Sequence, residues 1–460
     1  MKISPELEGL ASLAMDTRLE SLPEPLLWEL KYLLLDSIGC ALAGISTAPG
    51  KMYIELANKM GGPPESSLIG VGNKVSCVNA AMANGQLINA IDYDALMPGA
   101  HTPPYIIAPA LAVAEREKSN GSDFLASLTI GFEIAGRVAV ALSSGTSFQK
   151  PDYTFTWAKR WGQAASNFGV AAASAKLLKL DRDKIIHAMG IASHLCQVPT
   201  WIRFTFSEHR SMAKYGVPGW QNMGGVMAAL LAEMGYMGDT TVFDAQEGFW
   251  KYVGYESWKP DNILADLGKN WVMRRIVYKA YPCCRMFQTE LDCVLKIVEE
   301  NKLKPEEIQS ITIYGHPTLE APAFTNRELT NIVDIQFNPA YIIAMAVNGV
   351  PKGVEWQDLE LAKSPRIFEF AKKVNYKAYP EFGKKQMSCA EIVTRNQTFR
   401  EEKSFADVTK LTEKDLVHKY KHNASEILSD QKIDNSIDII LNLEKVNNVH
   451  DLVKQITTVR

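Results

Sequence analysis

Several familiar signatures are missing from this 460-residue chain, and each absence removes a class of function. There is no Gly-x-Gly-x-x-Gly turn, no Walker loop, no His-Glu-x-x-His helix and no nucleophile elbow. This argues against a nucleotide-dependent enzyme, a zinc hydrolase and a serine hydrolase. Cysteine is sparse: the seven residues (40, 77, 196, 283, 284, 293, 389) are scattered and odd in number. That suits a reducing cytoplasm rather than a disulfide framework. Their spacing fits neither an iron–sulfur cluster nor a structural zinc site, so no metal is expected. The vicinal pair Cys283-Cys284 reads as packing. An excess of positive charge is also missing. Lys and Arg number 49 against 52 Asp and Glu, a net charge of −3, so nothing draws in nucleic acid or an anionic membrane. An anionic substrate therefore needs a local basic pocket. The N-terminus is polar, without the apolar core of a signal peptide. No apolar run reads as long enough to span a membrane, since the longest, Tyr105 to Ala114, is short and carries Pro109. What remains is a cytoplasmic protein doing proton chemistry without a cofactor.

What is present is helix. The length favours two domains. Leu22–Ala43, Phe124–Leu142, Ala164–Leu178, Arg182–His194 and Gly224–Met234 carry apolar residues at helical spacing, many of them small enough for close packing. The character changes near Trp271. Ile308 to Tyr314 alternates apolar and polar as a strand does, and Gln386 to Arg400 is a second strand region. Helices are expected at Glu290–Glu300 and Pro339–Val347. From Leu411 a charged amphipathic helical pattern returns. The expected fold class is mainly α, with a discontinuous helical domain (1–272 and 403–460) and a smaller α+β lid domain (273–402).

Residues able to move a proton or hold an anion fall in a few places. In Ile91-Asp92-Tyr93-Asp94 and the following loop to His101, a helical run ends in two carboxylates and a histidine. A carboxylate that orients the imidazole makes it a general base or acid, and solvated loop residues are the ordinary alternative. Lys214, preceded by Glu208-His209-Arg210 and followed by Tyr215-Gly216 and an Ala/Gly-rich helix, could hold a carboxylate or sit on a surface loop. His209 and Arg210 share that ambiguity. Lys279, Tyr281 and Arg285 in Lys279-Ala280-Tyr281-Pro282-Cys283-Cys284-Arg285 form either an anion clamp on a Pro-fixed turn or an interdomain hinge. Arg160, in Lys159-Arg160-Trp161 ahead of a small-residue helix, offers a further anion contact or a solvated charge. Tyr341 is either a phenolic acid or core.

The order and spacing of these segments resemble the MmgE/PrpD family from the N-terminus to about residue 450. The resemblance is carried by Asn84-Gly85 with Asp92-Tyr93-Asp94 and His101, by Gly131-Phe132-Glu133 through Arg137, and by Phe168-Gly169-Val170. It continues through Lys214, Val242-Phe243-Asp244 and the Lys279–Arg285 segment, which is similar to the family's Lys-x-Tyr-Pro-x-Cys/His. It implies a homodimer of two-domain subunits with a cofactor-free active site in the interdomain cleft. Its substrates are small carboxylates, from which water or CO2 is lost or at which a centre is inverted after proton transfer. It also implies Asp92 and His101 as the acid/base pair, Lys214 and Lys279 as substrate-binding lysines, and Tyr341 facing the cleft. Asp94, Arg160, Trp161, His209, Arg210, Tyr281, Cys284 and Arg285 are the expected substrate contacts. Departures are clear. The stretch from Asp92 to His101 is one residue short of the usual pattern and lacks a second neighbouring Asp and a Thr. A second family histidine is absent, with Arg160 or Trp161 near its place. The histidine that commonly follows the first lysine is replaced by Gly216-Val217. A permanent cation in place of a proton carrier predicts a substrate other than methylcitrate or cis-aconitate. The expected activity is a hydro-lyase acting on a carboxylic acid, less readily a decarboxylase. An isomerase using the same site and a non-catalytic ligand-binding descendant are the alternatives.

Overall fold

Small residues let the helices of the first half approach closely enough to share a core. The computed structural model describes residues 2–97, 101–142, 147–149, 154–156, 163–198, 200–208, 210–255, 257–379 and 386–458. Helices α1 (Glu24–Gly44), α2 (Cys77–Asn89), α3 (Pro103–Arg116), α4 (Gly121–Leu142), α5 (Ser166–Leu177) and α6 (Pro218–Glu233) form the centre of this part. Helix α2 packs on α1, α3 and α6, and α5 packs on α4 and α6. At the α4–α5 crossing a Cβ on Gly169 would lie 2.2 Å from the Gly131 carbonyl oxygen, so the two backbones touch only because no side chain intervenes.

Helix α4 corrects the expectation that no apolar run reaches membrane-spanning length. An 18-residue stretch of its 22 residues has a mean hydropathy of 1.6, and most of that stretch is buried within the protein. The charged pair Glu133–Arg137 interrupts the run as a linear sequence. In the helix the two lie one turn apart and neutralise each other at 2.6 Å, with the guanidinium also donating to the Ile263, Ala265 and Asn270 carbonyls.

A second core is built on a four-stranded sheet. It comprises β1 (Ile308–Gly315), β2 (Val374–Ala378), β3 (Met387–Thr394) and β4 (Thr398–Ser404) in the order β2-β1-β3-β4. Strand β2 is parallel to β1, while β3 is antiparallel to both β1 and β4. Helix α7 (Gln288–Glu300) covers β3 and β4. Helix α8 (Ile332–Gln336) leads directly into α9 (Pro339–Val347), whose start is capped by the Asn338 side chain accepting from the Ala340 N–H. The fold is thus mainly α with a small α+β part, as the sequence predicts. The first apolar core draws on residues between Leu7 and Met273 and between Tyr420 and Ile456. The second draws mainly on Ala280 to Ile392, with Phe204 and Tyr215 joining it. Towards the C-terminus, α10 (Glu413–Ala424) packs on α1.

Candidate active site

Helix α2 determines where the chemistry sits. Its small residues allow α6 to pack so close that a Cβ on Gly85 would lie 2.2 Å from the Asn222 side-chain nitrogen. That nitrogen donates to the Ala81 and Pro104 carbonyls, tying α2 to the start of α3. The chain then leaves α2 through Ala90 and Ile91 and turns at Asp92, whose φ is +53°. Left-handed backbone is uncommon outside glycine, though Asp tolerates it better than most residues.

The Asp92 carboxylate is fully buried between two lysines. Lys214 Nζ lies 3.1 Å from Oδ1, and Lys279 Nζ lies 2.9 Å from Oδ2. Lys279 also donates to the Asp92 carbonyl at 2.7 Å, and Lys214 to the Asn89 carbonyl at 2.7 Å. The second contact puts an ammonium at the C-terminal end of α2, where the peptide dipoles favour positive charge. Burial alone would raise the Asp92 pKa. The two ammoniums outweigh it and hold the carboxyl well below the usual carboxylate range. Burial pulls the Lys214 pKa down, whereas Asp92 and Asp94 carry that of Lys279 up despite burial. Lys214 itself has a φ of +51°, so both partners of this ion pair hold strained backbone.

The carboxylate beside the imidazole is Asp94. His101 Nδ1 lies 3.7 Å from Asp94 Oδ2, just beyond hydrogen-bond length, and both atoms are buried without a hydrogen-bond partner. The other Asp94 oxygen accepts from Asn89 at 3.2 Å. Burial lowers the His101 pKa more strongly than Asp94 raises it, leaving the ring neutral at neutral pH. A relay of amides seats this histidine. The His101 N–H donates to Gln163 Oε1, the Gln163 carbonyl accepts from Gln221 of α6, and Gln221 Oε1 accepts from the Gln197 N–H. Gln197 Oε1 in turn accepts from the Val217 N–H, just beyond the Lys214 turn.

Tyr215 joins the group, its ring centroid 4.9 Å from that of His101. Burial, then Asp92 and Asp94, push its phenol well above the ordinary value, and burial does the same to Tyr105. Both are therefore neutral hydroxyl donors. Cys284 lies within reach of the Asp92 and Lys279 charges, its thiol pushed up to about 12, mainly by burial.

The structure thus brings together Asp92, Asp94, His101, Lys214 and Lys279, with Tyr215 beside them. Several other expected residues are occupied elsewhere. The Tyr341 hydroxyl donates to the Arg327 carbonyl at 2.9 Å inside the second core. Arg210 forms a buried ion pair with Asp334 at 3.2 Å. The Tyr281 hydroxyl donates to Asp292 at 2.8 Å, and its ring stacks on Trp356. The Arg285 guanidinium lies 4.2 Å above the Phe405 ring. Arg160, Trp161 and His209 lie outside the described residues. Tyr215, Asn89 and the glutamine relay were not singled out in the sequence. A clue to Tyr215 is its position directly after Lys214; isolated amides in apolar helices give no comparable signal. Among the described residues no group of three or more His, Cys, Asp or Glu could hold a metal ion. A surface pocket of about 440 Å³, lined in part by Arg18, Lys176 and Lys179, shares no residue with this site.

A helical body and a small mixed sheet thus meet at buried carboxylates, two lysines and a neutral imidazole. The chain belongs to the MmgE/PrpD family: residues 8–260 match its N-terminal domain and residues 281–445 its C-terminal domain. Curated relatives include the cis-aconitate decarboxylase of Aspergillus terreus, 24% identical over 95% of this chain and 92% of that protein. The human cis-aconitate decarboxylase is 22% identical over 91% of this chain and 87% of its own length. These relatives carry the name of a lyase, which together with family membership supports an enzyme with lyase-type chemistry.

Proposed function

We propose that this protein is a cofactor-independent lyase that removes a proton next to a carboxylate or carbonyl of a small carboxylic acid and then expels water. Decarboxylation is the less favoured outcome. The observation that supports the reading best is the pairing of a neutral, buried His101 with Asp94 next to an ionised Asp92 that holds two lysines. His101 is the base: neutral imidazole accepts the proton, and Asp94 stabilises the imidazolium that forms. Lys214 and Lys279 receive the substrate carboxylate and, as negative charge spreads onto it during proton removal, stabilise that charge in a site shielded from water. Asp92 keeps both ammoniums charged and aimed. The Tyr215 phenol is placed to donate a proton to the leaving hydroxyl. The site lies where the two cores meet, and the acid enters between them.

An isomerase remains the second reading, because Tyr215 beside His101 supplies a second protic group in the place of a missing histidine. One experiment separates the readings. Purified protein is incubated in deuterated water with cis-aconitate and a panel of other di- and tricarboxylic and hydroxy acids, followed by mass spectrometry and NMR. Loss of the mass of water identifies the lyase. Deuterium uptake without net loss identifies the isomerase, and CO2 release identifies a decarboxylase. Binding of the acids with neither exchange nor turnover would leave only a ligand-binding descendant.

A further inference from the structure

Two buried charged residues outside the proposed machinery, Asp36 of α1 and Lys419 of α10, hold the backbone from Tyr93 to Ala95. Lys419 is buried, and its ammonium has three partners. Nζ lies 2.6 Å from Asp36 Oδ1 and donates to the Tyr93 carbonyl at 2.7 Å and to the Lys279 carbonyl at 3.2 Å. It also sits 3.5 Å from the centre of the Tyr93 ring. The other Asp36 oxygen accepts from the Ala95 N–H at 3.1 Å. The pair therefore grips the backbone on both sides of Asp94 and at Lys279, the two segments that carry an anion-holding lysine and the carboxylate facing His101. A second clamp runs between the same segments, where Leu96 and Val277 exchange both backbone hydrogen bonds at 2.9 and 2.8 Å.

Stability alone is a poor account of this pair. Burying two charges costs so much desolvation that apolar residues of similar size often hold a core at least as well. What an apolar pair cannot do is donate to two carbonyls and accept from an N–H at fixed points. Geometry at this place matters because Asp94 and His101 stand 3.7 Å apart, and a fraction of an ångström decides whether they are hydrogen-bonded.

We propose that Lys419 and Asp36 are positioning residues that set the distance between Asp94 and His101 and the seat of Lys279. They act through backbone and do not touch the substrate. The inference rests on the reading of His101 as the proton acceptor, so its test is independent of turnover. The charged groups that shape the His101 titration are Asp94, Lys279 and Asp92, and the Tyr215 ring packs beside the imidazole.

The test follows the His101 imidazole by NMR in the full-length protein labelled at histidine, with His101→Gln to assign the signal. The charge-neutral double variant Asp36→Asn/Lys419→Met removes the grip without changing the net charge. It is expected to shift the His101 titration midpoint by about half a unit or more, on the scale of ordinary charge–partner effects. Lys419→Arg keeps the charge but not the shape and is expected to shift it less. If the double variant does not fold, Lys419→Arg decides: a displaced midpoint supports the positioning role. A folded double variant, or failing that a folded Lys419→Arg protein, with the wild-type midpoint overturns it. Once an acid is identified as substrate, the same variants should lose kcat by about tenfold or more with a smaller change in KM. Absence of turnover by the wild-type protein would instead count against the lyase reading and leave the titration result standing.

Discussion

Asp92 and Lys214 pay for their contact with backbone strain at both ends, each in the left-handed region at about 1–3 kcal/mol. Such strain persists only where the surroundings enforce it, and here the enforcement is the ion triad with Lys279. Asp92→Asn removes the carboxylate that pairs directly with two buried ammoniums. It is expected to cost about 3–5 kcal/mol, read as a lower denaturant midpoint. The depressed Asp92 pKa fixes the sign of its pH dependence. Its contribution is present above the unfolded carboxyl value of 3.8 and is lost as the pH falls through the lower folded value. His101 gives a separate prediction. Its pKa lies below 6.5, so the acid limb of kcat/KM is expected below pH 6.5, activity falling as the ring takes up a proton. His101→Ala should retain binding of the substrate acid by calorimetry and lose turnover. Asp92, His101 and both lysines stood out from their neighbours in the chain, and in the fold they lie together. That Asp94 rather than Asp92 faces the imidazole was not legible there, because the choice depends on which carboxylate the distant lysines claim.

At the scale of elements, periodicity carried most of the reading. Arg182–His194 and Pro339–Val347 are helices with the bounds the sequence suggests, and Ile308–Gly315 is the alternating strand. The region from Gln386 to Arg400 holds parts of two strands, because the chain reverses where Thr394 pairs with Gln397. Strand β2 was missed: five residues give too short an alternation, and its parallel partner β1 lies far back in the chain. Helix α7 carries a liability that its amphipathic pattern hides. Glu290, in its first turn, is fully buried with one oxygen accepting from Ser388, and burial raises its pKa to about 8. A raised folded value means that full stability is present below the unfolded value of 4.5 and is lost as the pH rises toward 8. Glu290→Gln is therefore expected to stabilise the protein at pH 8 by an amount that shrinks on acidification to pH 5. Thermal melts of both proteins across that range check it.

At the scale of the whole molecule, a few buried amides join the two cores. Gln336 of α8 donates to the Ala90 carbonyl at the end of α2 and to Gln357 Oε1, and Gln357 donates to the Pro282 carbonyl. Gln336→Ala strands these acceptors in an apolar setting. It is expected to destabilise by about 1–3 kcal/mol and to speed amide exchange in residues 90–97. The sequence could not show this seam, since glutamines give no periodic signal. Within the charged amphipathic pattern after Leu411, Lys419 is buried while Lys421 pairs with Asp434 at the exterior. The Lys419 contact also sets an order in time. Asp36 and Tyr93 leave the ribosome long before residue 419, their partner across more than three hundred positions. Until then Asp36 has no buried cation to meet, and a nascent chain that settled around an unpaired carboxylate would carry its full desolvation cost. Synthesis must therefore pass residue 419 before the buried pair that grips the backbone around Asp94 can form.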